Sequence, residues 1–122
     1  MSNKLKLLLV DDEESLRLLV RDELESGGFD VTEAESGERA LEILPEAEFD
    51  LAILDIRMPG IDGLEVLRRI RKENRVTKVI MLTGVDELKI ARDSLALGAN
   101  DFLTKPYDFK TLNSCIQRVL KE

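Results

Sequence analysis

Three stretches of the chain are almost uninterrupted apolar residues: Leu5 to Val10, Leu51 to Leu54 and Val79 to Leu82. Runs this short predict β-strands buried on both faces, because a strand with one wet face alternates polar and apolar side chains, whereas a central parallel strand does not. Val31 to Ala34 and Phe102 to Thr104 are weaker strand candidates, as edge strands often are. Between the runs the apolar positions fall three and four apart: Leu16, Leu19, Val20 and Leu24, then Leu64, Leu67 and Ile70, then Leu112, Ile116 and Val119. Each set makes one apolar stripe along a helix. Ser36, Asp86 and Asp108 stand where helix N-caps are expected, and Gly27 and Gly28 can close the first helix in a left-handed conformation. Five strand–helix pairs in alternation predict an α/β fold, a parallel sheet joined by right-handed crossovers. In such a sheet the functional crevice lies outside the carboxyl ends of the strands.

Composition narrows the class. A length of 122 residues suits one domain, taken as residues 1–122, and 43% hydrophobic with 35% charged residues is the balance of an ordinary globular chain. No apolar run is long enough to span a bilayer, and no charged start with an apolar stretch and cleavage site precedes the first, so no membrane role and a cytoplasmic location are expected. The single cysteine, Cys115, cannot form an internal disulfide and shares a helix face with Leu112, Ile116 and Val119, which reads as packing. A net charge of −7 argues against nucleic-acid binding by this domain, which would need a concentrated cationic surface. The absence of histidine removes the usual general base and the commonest zinc ligand. Chemistry is left to carboxylates, hydroxyls, lysine and a hard metal.

The strand ends supply those groups. Asp11 and Asp12 follow the first strand, Asp55 the third, Thr83 the fourth and Lys105 the fifth, so all five should converge on one rim. Any one of them alone reads as a turn former or a solvated side chain. Together they place three carboxylates where mutual repulsion and burial would cost several kcal/mol without compensation. Lys105 offsets one charge, and a hard divalent cation such as Mg²⁺, which prefers oxygen ligands, would offset the others. A site so neutralised suits an anionic phosphoryl group.

The arrangement resembles the receiver domains of bacterial response regulators. The resemblance is carried by Asp11-Asp12-Glu13, by Asp55-Ile56-Arg57-Met58-Pro59-Gly60-Ile61-Asp62-Gly63, by Thr83-Gly84 and by Lys105-Pro106, and it runs from Leu5 to Lys121. It implies a flavodoxin-like (βα)5 doubly wound parallel sheet, strand order 2-1-3-4-5. It also implies that Asp55 is the phosphoacceptor and that Mg²⁺, with Mn²⁺ an alternative, is held by Asp12 directly, Asp11 through water, Asp55 and the backbone carbonyl of Arg57. Thr83 would hydrogen-bond the bound phosphoryl group and Lys105 would ion-pair with it. Phe102 takes the aromatic switch position with Thr83, although it reads equally well as plain core. The family commonly has a cis bond at the position of Lys105-Pro106. Gly84 beside Thr83 would leave room for the phosphoryl group, and Gly63 would permit a tight entry to the next helix.

The implied function is a phosphoacceptor switch rather than a turnover enzyme, assisting its own phosphorylation and dephosphorylation. Its partner would be a sensor histidine kinase or a phosphotransfer protein. The surface of the fourth helix, fifth strand and fifth helix would act on an output domain or form a homodimer. Leu18 lies off the first helical stripe and is expected to project to solvent beside the rim, where a kinase helix would dock. An aspartyl phosphohydrolase would want a second acid two residues after Asp55, where Arg57 stands. A nucleotide or flavin binder would want a Gly-rich or hydroxyl-rich first loop, which here is Asp-Asp-Glu-Glu-Ser. A phosphorylation-independent interaction module would normally have lost part of the cluster.

Overall fold

The apolar runs become the centre of a five-stranded sheet. A computed structural model describes residues 4–73 and 76–122. Its strands are β1 (Lys6–Val10), β2 (Asp30–Ala34), β3 (Leu51–Asp55), β4 (Lys78–Thr83) and β5 (Asp101–Thr104). They alternate with α1 (Glu14–Ser26), α2 (Gly37–Ile43), α3 (Gly63–Lys72), α4 (Leu88–Ala96) and α5 (Phe109–Leu120). Short 3-10 turns, Leu44–Glu46 and Val85–Glu87, follow α2 and precede α4. All strand pairs are parallel and the order is β2-β1-β3-β4-β5, the flavodoxin-like arrangement that the resemblance implied. Every residue of β3 is buried, whereas β5 at the edge is half-buried throughout, which is why the first was plain in the sequence and the second faint.

Each face of the sheet has its own core. Leu8, Val10, Ala52, Leu54 and Met81 point toward α2, α3 and α4, where they meet Ala40, Val66, Leu67, Ile70 and Ala91. Leu7, Leu9, Ile53, Ile80 and Leu82 point the other way, onto Val20 and Leu24 of α1 and Leu112, Cys115, Ile116 and Val119 of α5. Cys115 is thus packed, as its helix face predicted. Among the described residues no helix is long and apolar enough to cross a membrane.

The strand registers determine which residues reach the rim together. Val10 pairs with Leu54, Asp55 with Leu82 and Thr83 with Thr104. The residues just past these pairs, Asp11, Asp12 and Lys105, therefore emerge beside Asp55 and Thr83 at one end of the sheet.

Three local expectations need correction. Leu19 is 60% exposed rather than packed inward with the buried Val20 and Leu24 and the half-buried Leu16, because it lies one residue's rotation, about 100°, behind Val20 and off the edge of the stripe. Asp86 does not cap α4; it sits inside the 3-10 turn, and the residue before α4 is Glu87. Of the two glycines after α1, only Gly28 is left-handed (φ 96°), while Gly27 has a φ of −81°. Ser36 and Asp108 do cap their helices, accepting hydrogen bonds from the backbone N–H of Arg39 and Thr111. Asp62 caps α3 in the same way through the N–H of Glu65, a further cap beyond those expected.

Candidate functional site

Asp11 and Asp55 reach the rim from the buried strands β1 and β3. The main chain of Asp11 extends β1 by one more hydrogen bond, its N–H donating to the carbonyl of Ala34 at 3.2 Å. Its Oδ1 accepts from the N–H of Glu13 at 2.9 Å, which turns the chain into α1 and leaves Asp12 exposed at the mouth. Asp55 is only 5% exposed. One carboxylate oxygen from each of Asp11, Asp12 and Asp55 lies within 4.8 Å of the others. An all-oxygen, acidic donor set with an open side is what Mg²⁺ requires, so these residues fit that ion.

Lys105 holds the cluster together. Its Nζ is 3.0 Å from Asp55 Oδ2 and 3.6 Å from both Asp11 Oδ2 and Glu13 Oε1. The Lys105–Pro106 peptide is cis. One ammonium thus faces the carboxylates of Asp55, Asp11 and Glu13. Burial pushes the Asp55 carboxyl up to about 6; Lys105 opposes that, and Asp11 and Asp12 add to it. Burial works against the charge of Lys105, but Asp55, Asp11 and Glu13 outweigh it and raise the ammonium above its ordinary value. Burial, then the charge of Asp11, lifts the neighbouring Tyr107 hydroxyl to about 12.

Thr83 is buried at the end of β4, and its hydroxyl donates to the carbonyl of Gly84 at 3.3 Å. Phe102 is half-buried against the core that also holds Met81, its partner in the β4–β5 register. Side chains alternate along a strand, so Thr83 and Phe102 lie on the same face of the sheet, the face covered by α4.

Two glycines differ in what they permit. A Cβ on Gly63 would lie 2.2 Å from the carbonyl oxygen of Asp55, so the tight helix entry is real. At Gly84 an added Cβ would meet Asp86 Oδ1 at 3.0 Å and Glu87 Oε1 at 3.2 Å. The groups crowding Gly84 are therefore carboxylates of the following turn.

Some partners escaped the sequence reading. Glu13 joins the Lys105 cluster as a further carboxylate. Arg17 Nη1 donates to the carbonyl of Asp11 at 2.8 Å. The Arg57 side chain leaves the cluster and pairs with the buried Glu87, Nε to Oε2 at 2.6 Å, while Glu87 Oε1 accepts from the N–H of Gly84 at 3.3 Å. The four-residue spacing of Glu13 and Arg17 does not foretell these partners, since Glu13 pairs with Lys105 and Arg17 with Asp11 and Glu33, and nothing in sequence signals the Arg57–Glu87 pair 30 residues apart.

The sequence model of the family described as response regulator receiver domain matches residues 7–117. The alkaline phosphatase synthesis transcriptional regulatory protein PhoP of Bacillus subtilis is 38% identical over 116 residues, covering 95% of this chain and 48% of that protein. Sporulation initiation phosphotransferase F of the same organism is 32% identical over 115 residues, covering 94% of this chain and 93% of that one. The structure of the chemotaxis response regulator CheY4 of Vibrio cholerae superposes with a TM-score of 0.89 at 34% identity, covering 96% of this chain and 99% of CheY4. The chain spans about half the length of transcriptional regulators such as PhoP. With the family's sequence pattern running from the first strand into the last helix, and its fold reproduced strand for strand, the chain belongs to the response regulator receiver domains of two-component systems.

Proposed function

We propose that the chain is a phosphoacceptor switch, one domain over residues 1–122, in which Asp55 takes a phosphoryl group from a sensor histidine kinase or a phosphotransfer protein. The observation that carries the reading is the buried Asp55 carboxylate, held 3.0 Å from Lys105 and grouped with Asp11 and Asp12. Asp11, Asp12, Asp55 and the backbone carbonyl of Arg57 would hold Mg²⁺, or Mn²⁺, which when bound neutralises the carboxylates and the incoming phosphoryl oxygens. An Asp55 oxygen attacks the phosphorus of a phosphohistidine in line. An O–P bond forms, the P–N bond breaks, and its electron pair returns to the imidazole. Lys105 already touches Asp55 and is in place to pair with a phosphoryl oxygen there. Water later cleaves the acyl phosphate and resets the switch. The name of one relative, a phosphotransferase, fits this chemistry.

The phosphodonor would approach past α1, where Leu18 and Leu19 are 36% and 60% exposed. Output would pass through α4, β5 and α5, to a further domain or to a second copy. Thr83 gives up its bond to the Gly84 carbonyl for a phosphoryl oxygen, and Phe102 fills the space behind it.

With Mg²⁺ and acetyl phosphate, the protein should gain the mass of one phosphoryl group, and a chelator should prevent it. No uptake in the presence of Mg²⁺ would refute the reading. Thr83→Ala should still accept the group but lose the coupling. Amide hydrogen exchange with beryllofluoride bound should change across residues 86–97 and 100–104 in the wild type and far less in the variant. Equal responses at equal occupancy would rule out Thr83 as the link.

A further inference from the structure

We infer that Arg17 is a positioning residue that orients the Asp11–Asp12 peptide for metal binding; the inference rests on the Mg²⁺ reading above. Asp12 is the exposed member of the acidic cluster, and its direction depends on the peptide joining it to Asp11. A peptide unit is planar, so fixing the Asp11 carbonyl oxygen also fixes the Asp12 nitrogen at the other end of the plane. Arg17 Nη1 grips that oxygen at 2.8 Å. The backbone N–H of Arg17 also donates to the Glu13 carbonyl at 2.9 Å, so one residue ties both ends of the loop.

The guanidinium is itself held. Its Nε donates to Glu33 Oε1 on β2 at 2.9 Å, and the second oxygen of Glu33 accepts from Arg21 Nη1 at 2.8 Å. The Arg17 side chain is 11% exposed, so the fork sits in a fixed frame between α1 and β2. Arg is suited to the place because a planar fork can serve the carboxylate and the carbonyl at once, which an ammonium on a flexible stem does poorly. The residue touches neither the metal position nor Asp55; it acts through the main chain of the acidic pair.

Two physical effects of removing Arg17 have opposite signs. Taking a positive charge away from an acidic cluster should tighten cation binding by simple Coulomb attraction. Losing the orientation of the ligands should weaken it, and outer-shell partners of metal ligands are typically worth on the order of tenfold or more in affinity. The positioning role predicts that the second effect wins. Arg21→Met is the matched control, since it removes the same charge and half of the Glu33 pairing without touching Asp11.

Mg²⁺ titration of the intact chain by calorimetry decides the matter, with the melting temperature of each metal-free variant as a check on folding. Arg17→Met should bind Mg²⁺ on the order of tenfold more weakly than wild type, with faster amide exchange at Asp12 and Glu13, while Arg21→Met binds as wild type does. Arg17→Lys, which keeps the charge and loses the fork, should also bind Mg²⁺ more weakly than wild type. It decides alone if Arg17→Met does not fold. Unchanged or tighter binding in Arg17→Met, equal weakening in both methionine variants, or wild-type affinity in Arg17→Lys would each overturn the inference. Asp12→Asn separates this from the underlying reading. If wild type and Asp12→Asn bind Mg²⁺ alike, the metal site itself fails, and Arg17 has nothing to position.

Discussion

Asp55→Asn should take up no phosphoryl group from acetyl phosphate and, at neutral pH without divalent ions, should melt above the wild type. Loss of uptake follows because an amide offers no anionic oxygen to attack phosphorus. The gain in stability follows from the cost of burying the Asp55 charge, to which Asp11 and Asp12 add and which Lys105 only partly offsets. Asn keeps the shape of Asp55, removes one of three carboxylate charges grouped within 4.8 Å, and leaves Lys105 with Asp11 and Glu13 as partners at 3.6 Å. Burial and its acidic neighbours raise the Asp55 carboxyl from 3.8 to about 6. Between those pH values the folded protein keeps a proton that the unfolded chain has released. Stability therefore falls as pH rises through that window, by on the order of 3 kcal/mol, and stays down above it.

Glu33, Asp101 and Asp108 behave oppositely. Burial opposes the charge of the first two, but the arginines beside Glu33 and Asp101 outweigh it, and the N–H of Thr111 lowers Asp108, so all three lie below their ordinary values. Their contribution is present above the ordinary carboxylate range and is lost as pH falls through their own lower values. Both proteins share those groups, so they cancel in the difference. Calorimetric melting from pH 4 to 8 should show the two proteins nearly alike at the acid end. They should diverge up to about pH 6 and then run parallel, several degrees apart. Labelling of the variant would remove Asp55 from the acceptor role. A variant melting below the wild type would mean that the pairing of Asp55 with Lys105 outweighs the cost of burying its charge beside Asp11 and Asp12.

How much of this could be read in the sequence follows from the range over which each force acts. The central strands were legible because burial on both faces demands an unbroken apolar run, and Leu51 to Leu54 has no other easy reading. The rim is legible for a related reason: in an alternating α/β chain the residue after each strand goes to one edge, so Asp11, Asp12, Asp55, Thr83 and Lys105 group together from the sequence alone. Leu19 was misplaced because a stripe read at spacings of three and four tolerates an extra residue on its margin, and only packing decides whether that margin is covered. Asp86 was misplaced because a 3-10 turn inserts before α4 and moves the helix start past it. Strand order came from the resemblance, since periodicity is blind to which strands are neighbours. The Arg57–Glu87 and Arg17–Asp11 contacts depend on where a long side chain finds its partner, and that is settled only when the loops are in place.

Gly63→Ala should be among the most damaging single-methyl changes in the chain, and the damage should reach Asp55. Left-handed backbone is not the cause, since Gly63 lies outside the set of positive-φ glycines. An alanine here even improves helix propensity, by about 1 kcal/mol in a helix interior. The obstacle is contact: its Cβ would meet the Asp55 carbonyl oxygen at 2.2 Å, the Asp55 carbonyl carbon at 2.9 Å and Ile56 Cα at 3.0 Å. These are backbone atoms at the buried end of β3, and they cannot swing aside as a side chain can. The start of α3 must move instead, although it is pinned there by the Gly63 N–H donating to the Ile56 carbonyl at 3.0 Å and by the Asp62 cap. Overpacking of this kind costs about 1–3 kcal/mol and occasionally more, and the atoms displaced belong to the proposed acceptor and the loop after it. Gly84→Ala is the contrast, because its Cβ would meet only the carboxylate tips of Asp86 and Glu87. Urea unfolding should place Gly63→Ala roughly 3 kcal/mol below wild type and Gly84→Ala within about 1 kcal/mol of it. Uptake from acetyl phosphate at saturating Mg²⁺ should be slower in the first at a temperature where it remains folded. Wild-type stability and wild-type uptake in Gly63→Ala would mean that α3 can shift away from β3 without disturbing Asp55, and that this glycine is not what sets the fit between helix and acceptor.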